Sequence, residues 1–345
     1  PCRRRSRCRA YEPCPYGPRC RGVPRIEVSY GELVITVCGE LVADLIEQPD
    51  GSLRPVPGGS PANTALACAR LGAVVQFLGR FGNDVFGERA RTRLLDNGVR
   101  LEGSVAAEEP STLAVATTDD EGHASYAFWT AETADWQWTA DELAHAPAPG
   151  TRIVHTASVA SWTPPGAQRI IDMLARARGQ ACLVSYDPNI RAGLIRQESP
   201  ALISQAIATA HVVKVSDEHV TALHPGQPPV EAARAWLAQA PALVVVTAGA
   251  EGARALRAGR PDVIVPSADV VVADTIGAGD TFTAGLLTAL LDLLDPAADP
   301  GTALAALSDE QVRTALRWAA AASGITVTRA GCDPPTAEEL AAALA

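Results

Sequence analysis

The most constraining stretch of this 345-residue chain runs from Val270 to Leu287 and reads VVVADTIGAGDTFTAGLL. Its four apolar residues, Val270–Ala273, predict the end of a strand, and the residues from Asp280 to about Leu294 predict a helix. A glycine-rich turn that opens a helix leaves backbone N–H groups unpaired, with the positive end of the helix dipole behind them. Such a turn is an anion site, and phosphate is its commonest occupant.

Asp280 places a carboxylate inside this predicted anion site. A carboxylate there suits a base that takes a proton from a hydroxyl as the hydroxyl attacks a phosphorus atom. The plainer alternative is a strand–helix turn in which Asp280 only caps the helix, and a bare GxG would favour it. The whole string DTxGAGDxFxxG is far more specific and favours catalysis. Gly277, Ala278 and Gly279 are then the candidate N–H donors to the transferred phosphoryl group.

A second glycine-containing helix start, GGSPANTALACARLG, spans Gly58–Gly72. Paired glycines let a backbone approach a ligand closely, and Asn63 offers a donor and an acceptor to a hydroxylated substrate. A helix start capped by Ser60 is the plainer reading, and both can hold. Upstream, Asp44 follows the start of a predicted strand, Leu41–Ile46. Its carboxylate could accept two hydroxyl hydrogen bonds, although an Asp near a strand end is more often a turn residue.

The two glycine stretches resemble the two signatures of the ribokinase-like (PfkB) family of carbohydrate kinases, most similarly its fructokinase-like members. The resemblance spans about residues 32–343. It implies an α/β fold with a central, mostly parallel sheet flanked by helices, and a small β-sheet lid over the sugar that often forms a homodimer contact. It implies ATP as phosphate donor and a small sugar as acceptor. The sugar-binding residues would be Asp44, Gly58, Gly59 and Asn63.

Further motifs place residues at the carboxyl ends of predicted strands, where ligands of open α/β sheets bind. DPNIR, at 187–191, resembles a fructokinase motif and predicts that Asn189 and Arg191 line the cleft. Arg191 is either a phosphate partner or half of a surface ion pair. The resemblance assigns these residues to ATP: Lys214, Ser216, Thr247, Gly249, Gly252 and Gly279.

The stretch KVSDEH falls where many family members carry an NxxE that helps to order Mg²⁺ and phosphate. Ser216 stands for the Asn, and His219 stands for the Glu. The histidine is the departure, so that Asp217 or Glu218 would supply the missing negative charge through water. The resemblance also implies a K⁺ site formed mostly by backbone carbonyls. Its residues would be Asp274, Ile276, Thr326, Arg329 and Gly331.

The composition limits the kinds of partner that this chain can bind and indicates how its domains are arranged. The net charge is −10, but the first 22 residues hold seven Arg and one Glu, so the remainder is strongly acidic and argues against nucleic acid as a partner. No apolar run is long enough to span a membrane. Scattered Cys residues are typical of a cytoplasmic protein. We expect residues 1–30 to form a disordered Arg- and Cys-rich extension and residues 31–345 to form the kinase domain.

Hydrophobic periodicity separates the lid from the body. Alternation between Thr112 and Trp129, interrupted by a DDEG turn, predicts a hairpin. We therefore expect lid segments near 42–57 and 110–135. After Pro149, strands alternate with helices, which predicts a parallel sheet.

Other functions fit less well. A P-loop needs GK[ST], but the only lysine is Lys214, and the GAG turn lacks the GxGxxG spacing of a dinucleotide fold. Two alternatives remain open. One is the same chemistry on 2-keto-3-deoxygluconate, ribose or a nucleoside. The other is a catalytically silent sugar- or nucleotide-sensing protein, suggested by His219.

Overall fold

The computed structural model describes residues 35–48, 50–118 and 124–344. The predicted extension over residues 1–30 and the DDEG turn of the hairpin lie outside these ranges. The strands are β1 Ile35–Cys38, β2 Val42–Glu47, β3 Leu53–Gly58, β4 Val75–Leu78, β5 Arg80–Phe81, β6 Val105–Ala106, β7 Thr112–Thr118, β8 Ala124–Trp129, β9 Ile153–Ala157, β10 Leu183–Asp187, β11 Val212–Ser216, β12 Leu243–Thr247, β13 Ala253–Leu256 and β14 Val263–Val265. The helices are α1 Ser60–Arg70, α2 Val85–Asp96, α3 Ala167–Gly179, α4 Ser199–Thr209, α5 Asp217–Leu223, α6 Pro229–Ala235, α7 Ala278–Leu293, α8 Pro300–Ala306, α9 Asp309–Val327 and α10 Ala337–Leu344.

The main sheet has eight strands in the order β14-β13-β12-β11-β10-β9-β1-β4. The pairs from β12 to β4 are parallel, whereas β13 and β14 are added antiparallel at one edge. Its parallel strands are almost wholly buried, because helices cover both faces. One face packs on α3, α4 and α6 around Trp162 and Met173, and the other packs on α1, α7 and α9. The predicted parallel α/β architecture is confirmed.

A small second sheet, the lid, has the strand order β3-β2-β7-β8. Strands β2 and β7 are parallel, and the other two pairs are antiparallel. The segments expected near 42–57 and 110–135 therefore pair with each other rather than with the main sheet. The chain enters the lid just after β1, so the carboxyl edge of the main sheet lies next to it.

Two local predictions were wrong. Val270–Ala273 is not a strand: the N–H groups of Ala273 and Asp274 both donate to the carbonyl of Val327 at the end of α9, at 2.7 and 3.2 Å. Val271 is 89% exposed, so no strand covers this segment. Ser60 does not cap α1 either, because Gly59 occupies the cap position and the Ser60 side chain points elsewhere. Among the described helices, none is both long and apolar enough to cross a bilayer.

Candidate active site

The GAG turn sits where the sequence predicts it, at the start of α7. Gly277 has φ +77° and precedes the first helical residue. A Cβ on Gly277 would lie 2.4 Å from Sγ of Cys332, so glycine is required by both backbone conformation and space. The N–H of Ala278 donates to the carbonyl of Thr275 at 3.2 Å, which closes the turn.

Asp280 lies in the first turn of α7 and is only 8% exposed. Its Oδ1 accepts a hydrogen bond from Ser60 Oγ at 2.7 Å, and its Oδ2 accepts one from Asn63 Nδ2 at 3.0 Å. Burial raises the pKa of Asp280 above its usual range, and the two hydrogen bonds oppose that rise. The carboxyl group is therefore held in one orientation by two residues of α1.

The DPNIR segment brings further polar groups to the same point. Asn189 has φ +38°, and its N–H donates to Asp187 Oδ1 at 2.9 Å, which bends the chain after β10. Asn189 Nδ2 donates to Ser60 Oγ at 2.7 Å, and Arg191 Nη1 donates to Asn189 Oδ1 at 2.6 Å. The Arg191 guanidinium group is therefore held by the side-chain amide of Asn189 in this structure. It does not need a phosphate or a surface carboxylate, its two expected partners, to keep this position.

Lys214 supplies a positive charge beneath the GAG turn. Its Nζ donates to Asp187 Oδ2 at 3.0 Å, and both side chains are buried. A Cβ on Gly279 would lie 3.0 Å from that Nζ, so the ammonium group lies directly against the turn. Buried ion pairs cost desolvation energy and are retained where a charge is needed. Here a cation lies against a helix N-terminus, an arrangement that favours the binding of an anion.

The predicted sugar-side residues also meet. A Cβ on Gly58 would fall 2.0 Å from Asp44 Oδ2, and one on Gly59, at φ +100°, would fall 2.5 Å from the carbonyl oxygen of Glu40. Gly59 must be glycine because of its φ and the adjacent backbone, whereas a side chain at position 58 would displace the Asp44 carboxylate. Burial raises the pKa of Asp44 to about 6, and nearby Arg191 and Arg93 oppose the rise.

The predicted nucleotide-side residues lie at the carboxyl ends of neighbouring strands. Ser216 pairs with Thr247 across β11 and β12, and its Oγ accepts the His219 N–H at 3.2 Å to cap α5. Gly249 and Gly252 form the turn after β12 with φ +47° and +90°. A Cβ on Gly252 would lie 2.2 Å from the carbonyl of Val265.

His219 is the departure from the family motif, and its surroundings keep it uncharged. Burial lowers its pKa to about 4, and Lys214 and Arg191 act in the same direction against Asp187. Its Nδ1 is buried and has no hydrogen-bond partner among the residues the structure describes. At neutral pH this position carries no charge, whereas the family motif has a carboxylate there.

The predicted K⁺ residues form two adjacent segments. Asp274 Oδ1 accepts from the N–H of Ile276 at 2.9 Å, and its Oδ2 accepts from that of Gly331 at 2.7 Å. The Thr326 carbonyl accepts the Arg329 N–H at 3.0 Å. The segment before α7 and the segment after α9 therefore run side by side. The Asp274 carboxylate links the two segments through these two N–H donors.

Four residues near the site were given no role by the sequence: Ser60, Arg93, Asp187 and Cys332. Ser60 was predicted only as a helix cap, and Asp187 begins the DPNIR motif, in which Asn189 and Arg191 were the predicted site residues. Arg93 Nη2 donates to the Cys332 carbonyl at 2.7 Å across 239 residues of sequence. The apolar context of Cys332 carries no local signal for such a contact.

A buried carboxylate at the N-terminus of a helix, with a buried lysine from a neighbouring strand packed against that turn, is typical of an enzyme that transfers phosphate to a small hydroxylated molecule. Comparison with known proteins agrees. The chain belongs to the pfkB family of carbohydrate kinases, whose model matches residues 28–339.

Similar proteins include several fructokinases. The chain is 30% identical over 311 residues to a fructokinase of Vibrio alginolyticus, covering 89% of this chain and 97% of that protein. It is similar to the fructokinase of Vibrio cholerae solved with fructose, ADP and calcium, with 30% identity, a TM-score of 0.79 and coverage of 91% and 99%. It is also similar to a Salmonella enterica aminoimidazole riboside kinase, with 25% identity, a TM-score of 0.76 and coverage of 90% and 99%.

Proposed function

We propose that this chain is an ATP-dependent sugar kinase that transfers the γ-phosphate of ATP to a primary hydroxyl of fructose. The observation that carries the proposal is the buried carboxylate of Asp280, held by Ser60 and Asn63 at the N-terminus of α7. A passive phosphate site has no use for a buried negative charge, whereas a kinase needs a base there. The fructokinases among the similar proteins favour fructose as acceptor.

Asp280 would accept the proton of the attacking hydroxyl as the oxygen bonds to the γ-phosphorus and ADP leaves. The N–H groups of Gly277 and Gly279, with that of Ala278 if the turn opens, would donate to the phosphoryl oxygens. Lys214, pressed against Gly279, would offset the negative charge that develops there. Arg191 would face the same charge from the end of the DPNIR segment.

Asp44 would hold the sugar so that its hydroxyl lies in line with the phosphate. Gly58, Gly59 and Asn63 would let the sugar approach the backbone of the α1 N-terminus. Closing the lid excludes water, which suppresses hydrolysis of ATP. Ser216, Thr247 and the turn of Gly249 and Gly252 would line the nucleotide side.

The metal requirement follows from the donors present. The described residues contain no group of three or more His, Cys, Asp or Glu side chains that could hold a metal ion. Mg²⁺ would therefore bind mainly to the ATP phosphates and water, as is usual for this ion, and would offset their charge. K⁺ would bind to the backbone carbonyls around Asp274, Ile276, Thr326, Arg329 and Gly331, which fit a large monovalent ion better than Mg²⁺.

Two further expectations belong to this proposal. A homodimer through the lid would cover the exposed side chains of Leu53 and Trp129. A cytoplasmic location would provide ATP and a reducing environment for the Cys residues.

The test is ADP release with Mg·ATP and a panel of fructose, ribose, 2-keto-3-deoxygluconate, tagatose and adenosine, with and without K⁺. We expect turnover with fructose and stimulation by K⁺. Adenosine tests the nucleoside alternative, which the similarity to a riboside kinase supports. Absence of turnover with every acceptor, from protein that binds ATP, would instead favour a silent sensor.

A further inference from the structure

Ser60 links the proposed base to a chain of hydrogen bonds that starts at Arg191. The chain runs from Arg191 to Asn189, then to Ser60 and finally to Asp280, with donor–acceptor distances of 2.6, 2.7 and 2.7 Å. Apart from Arg191, every member is buried. The four residues come from three separate segments of the chain, so only the folded state assembles them.

The direction of each hydrogen bond follows from the first residue. A guanidinium group has donors only, so Asn189 must turn its carbonyl oxygen toward Arg191. Its amide nitrogen then faces Ser60 and donates to Oγ. Because the Ser60 hydroxyl has a single proton and already accepts from Asn189, that proton is directed at Asp280 Oδ1.

We propose that Ser60 is a positioning residue for the base, and that the polarity set at Arg191 obliges its hydroxyl to donate to Asp280. The other carboxylate oxygen faces the Asn63 amide, which also donates. Each oxygen of Asp280 therefore accepts one hydrogen bond and keeps a second lone pair, which can take the proton of the attacking hydroxyl. The arrangement suits the ionised carboxylate, which is the form that can accept a proton, and it fixes the orientation of that carboxylate.

Burial alone would work against this form. It raises the pKa of Asp280, whereas the hydrogen bonds from Ser60 and Asn63 lower it. The other charged or titratable groups that face Asp280 are Lys214, Asp187, Asp44 and Cys332. None of them changes when Ser60 is substituted, so a shift in titration would report the Ser60 hydroxyl.

The proposal rests on the role of Asp280 as base, and its test is the pH profile of kcat/KM for fructose in Ser60→Ala. Because a hydrogen bond to a charged group contributes about 1.5–3 kcal/mol, the acid limb should move up by about one to two pH units. Ser60→Thr keeps a hydroxyl and should keep the limb of the original enzyme. Well above the limb, the rates of Ser60→Ala and the original enzyme should converge to within about tenfold.

Thr64→Val is the matched control. Thr64 is buried one turn further along α1, and no partner for its hydroxyl is found within the described ranges. Removing that hydroxyl should leave the acid limb in place. An unchanged limb in Ser60→Ala, or an equal shift in Thr64→Val, overturns the proposal. A weaker affinity for fructose with an unchanged limb also overturns it, because Ser60 would then be a substrate contact.

A second measurement needs no turnover. In protein with ¹³C-labelled Asp carboxyl groups, the resonance lost in Asp280→Asn belongs to Asp280. Its titration should move to higher pH in Ser60→Ala and stay in Thr64→Val. If the resonance shifts but no acceptor is phosphorylated, the hydrogen-bond chain stands and the proposed kinase function fails. If turnover is present and the resonance does not shift, only the role of Ser60 fails.

Discussion

Asp280 is oriented before any substrate arrives, because its two oxygens are held by Ser60 and Asn63. A carboxylate that needs no reorganisation at the moment of reaction contributes more to catalysis than a mobile one. The lysine beneath the turn is fixed in the same way by Asp187. At the scale of single residues, each of the two charged residues to which we assign a catalytic role is thus held by buried hydrogen-bond partners.

Asp280→Ala should lower kcat by about 10²–10⁴-fold, since a positioned base contributes that much. Binding of fructose should change little, because Asp44 and the two glycines that precede α1 remain. Turnover is measured by ADP release and binding by calorimetry, with Asp280→Asn as the variant that keeps the shape of the side chain. Near-normal turnover in both variants would show that Asp280 is not the base.

Glu40 makes stability depend on pH. It is fully buried after β1, and burial raises its pKa from 4.5 to about 7, although the N–H of Ala160 donates to it at 3.1 Å. An acid whose folded pKa is raised binds more protons in the folded state. Its protonation therefore favours folding below the unfolded pKa, and this advantage is lost as the pH rises toward 7.

Glu40→Gln removes this titration and keeps a carbonyl acceptor. Its free energy of unfolding should exceed that of the original protein by up to about 3 kcal/mol at pH 8, with the difference shrinking toward pH 5. Urea unfolding at several pH values measures the difference. A constant difference across that range would mean that Glu40 does not titrate between the two pH values.

At the scale of elements, the lid is tied to the body where the chain crosses between them. Asp135 Oδ1 accepts the N–H of Leu41, just before β2, at 2.7 Å. Asp84 Oδ2 accepts the N–H of Ser111, just before β7, at 2.7 Å. Arg80 Nε donates to the carbonyl of Ala134, after β8, at 2.9 Å. Arg80 and Asp84, which both lie in the stretch GRFGND at 79–84, therefore help to anchor the lid.

Asp84→Ala should loosen the start of β7 and raise the KM for fructose more than it lowers kcat. Hydrolysis of ATP without sugar should rise relative to transfer, because a loose lid admits water. Asp84 also caps α2, so the change costs about 1 kcal/mol of stability by that route. Initial rates with and without fructose measure both effects.

Asp299→Ala is the control for the lost cap. Asp299 caps α8, where its Oδ1 accepts the N–H of Thr302 at 2.8 Å, and within the described ranges its hydrogen-bond partners lie in α8. It should lower stability similarly and leave the ratio of hydrolysis to transfer unchanged. If the two variants behave alike in that ratio, the lid is not held by Asp84.

At the scale of the whole molecule, the lid sheet presents exposed apolar side chains on β3 and β8. Leu53 is 45% exposed and Trp129 is 55% exposed. An exposed strand edge can pair with another chain, and an exposed apolar patch often marks a contact with one. A second lid would cover both features at once.

Trp129→Glu should therefore convert a dimer to a monomer, as measured by light scattering after gel filtration. Ile264→Glu is the control, because Ile264 is 47% exposed on β14, the edge strand of the main sheet. That variant should remain dimeric. If the original protein is monomeric, the proposed dimer does not form. If only Ile264→Glu loses the dimer, the contact lies elsewhere than at the lid.

The sequence by itself determined the elements whose signals are local. The turn at Gly277 and the glycines before α1 were predicted because glycine-rich helix starts are a local signal; Gly277 and Gly59 have the positive φ angles that favour glycine. The lid hairpin was predicted because alternation of period two differs from helical periodicity. The buried strands of the main sheet were predicted because parallel strands covered on both faces are continuously apolar.

Only the tertiary structure decided which distant residues meet. Ser60 and Asp280 are 220 residues apart, and Asn189 and Ser60 are 129 apart. Periodicity shows which face of an element is buried, but not which element lies against it; strand order and helix packing set that. The prediction for Val270–Ala273 was wrong for the same reason. An apolar run predicts a strand, but in the folded chain the carbonyl of Val327 at the end of α9 accepts the N–H of Ala273. Local chemistry thus specified the parts of the site, and long-range packing specified their partners.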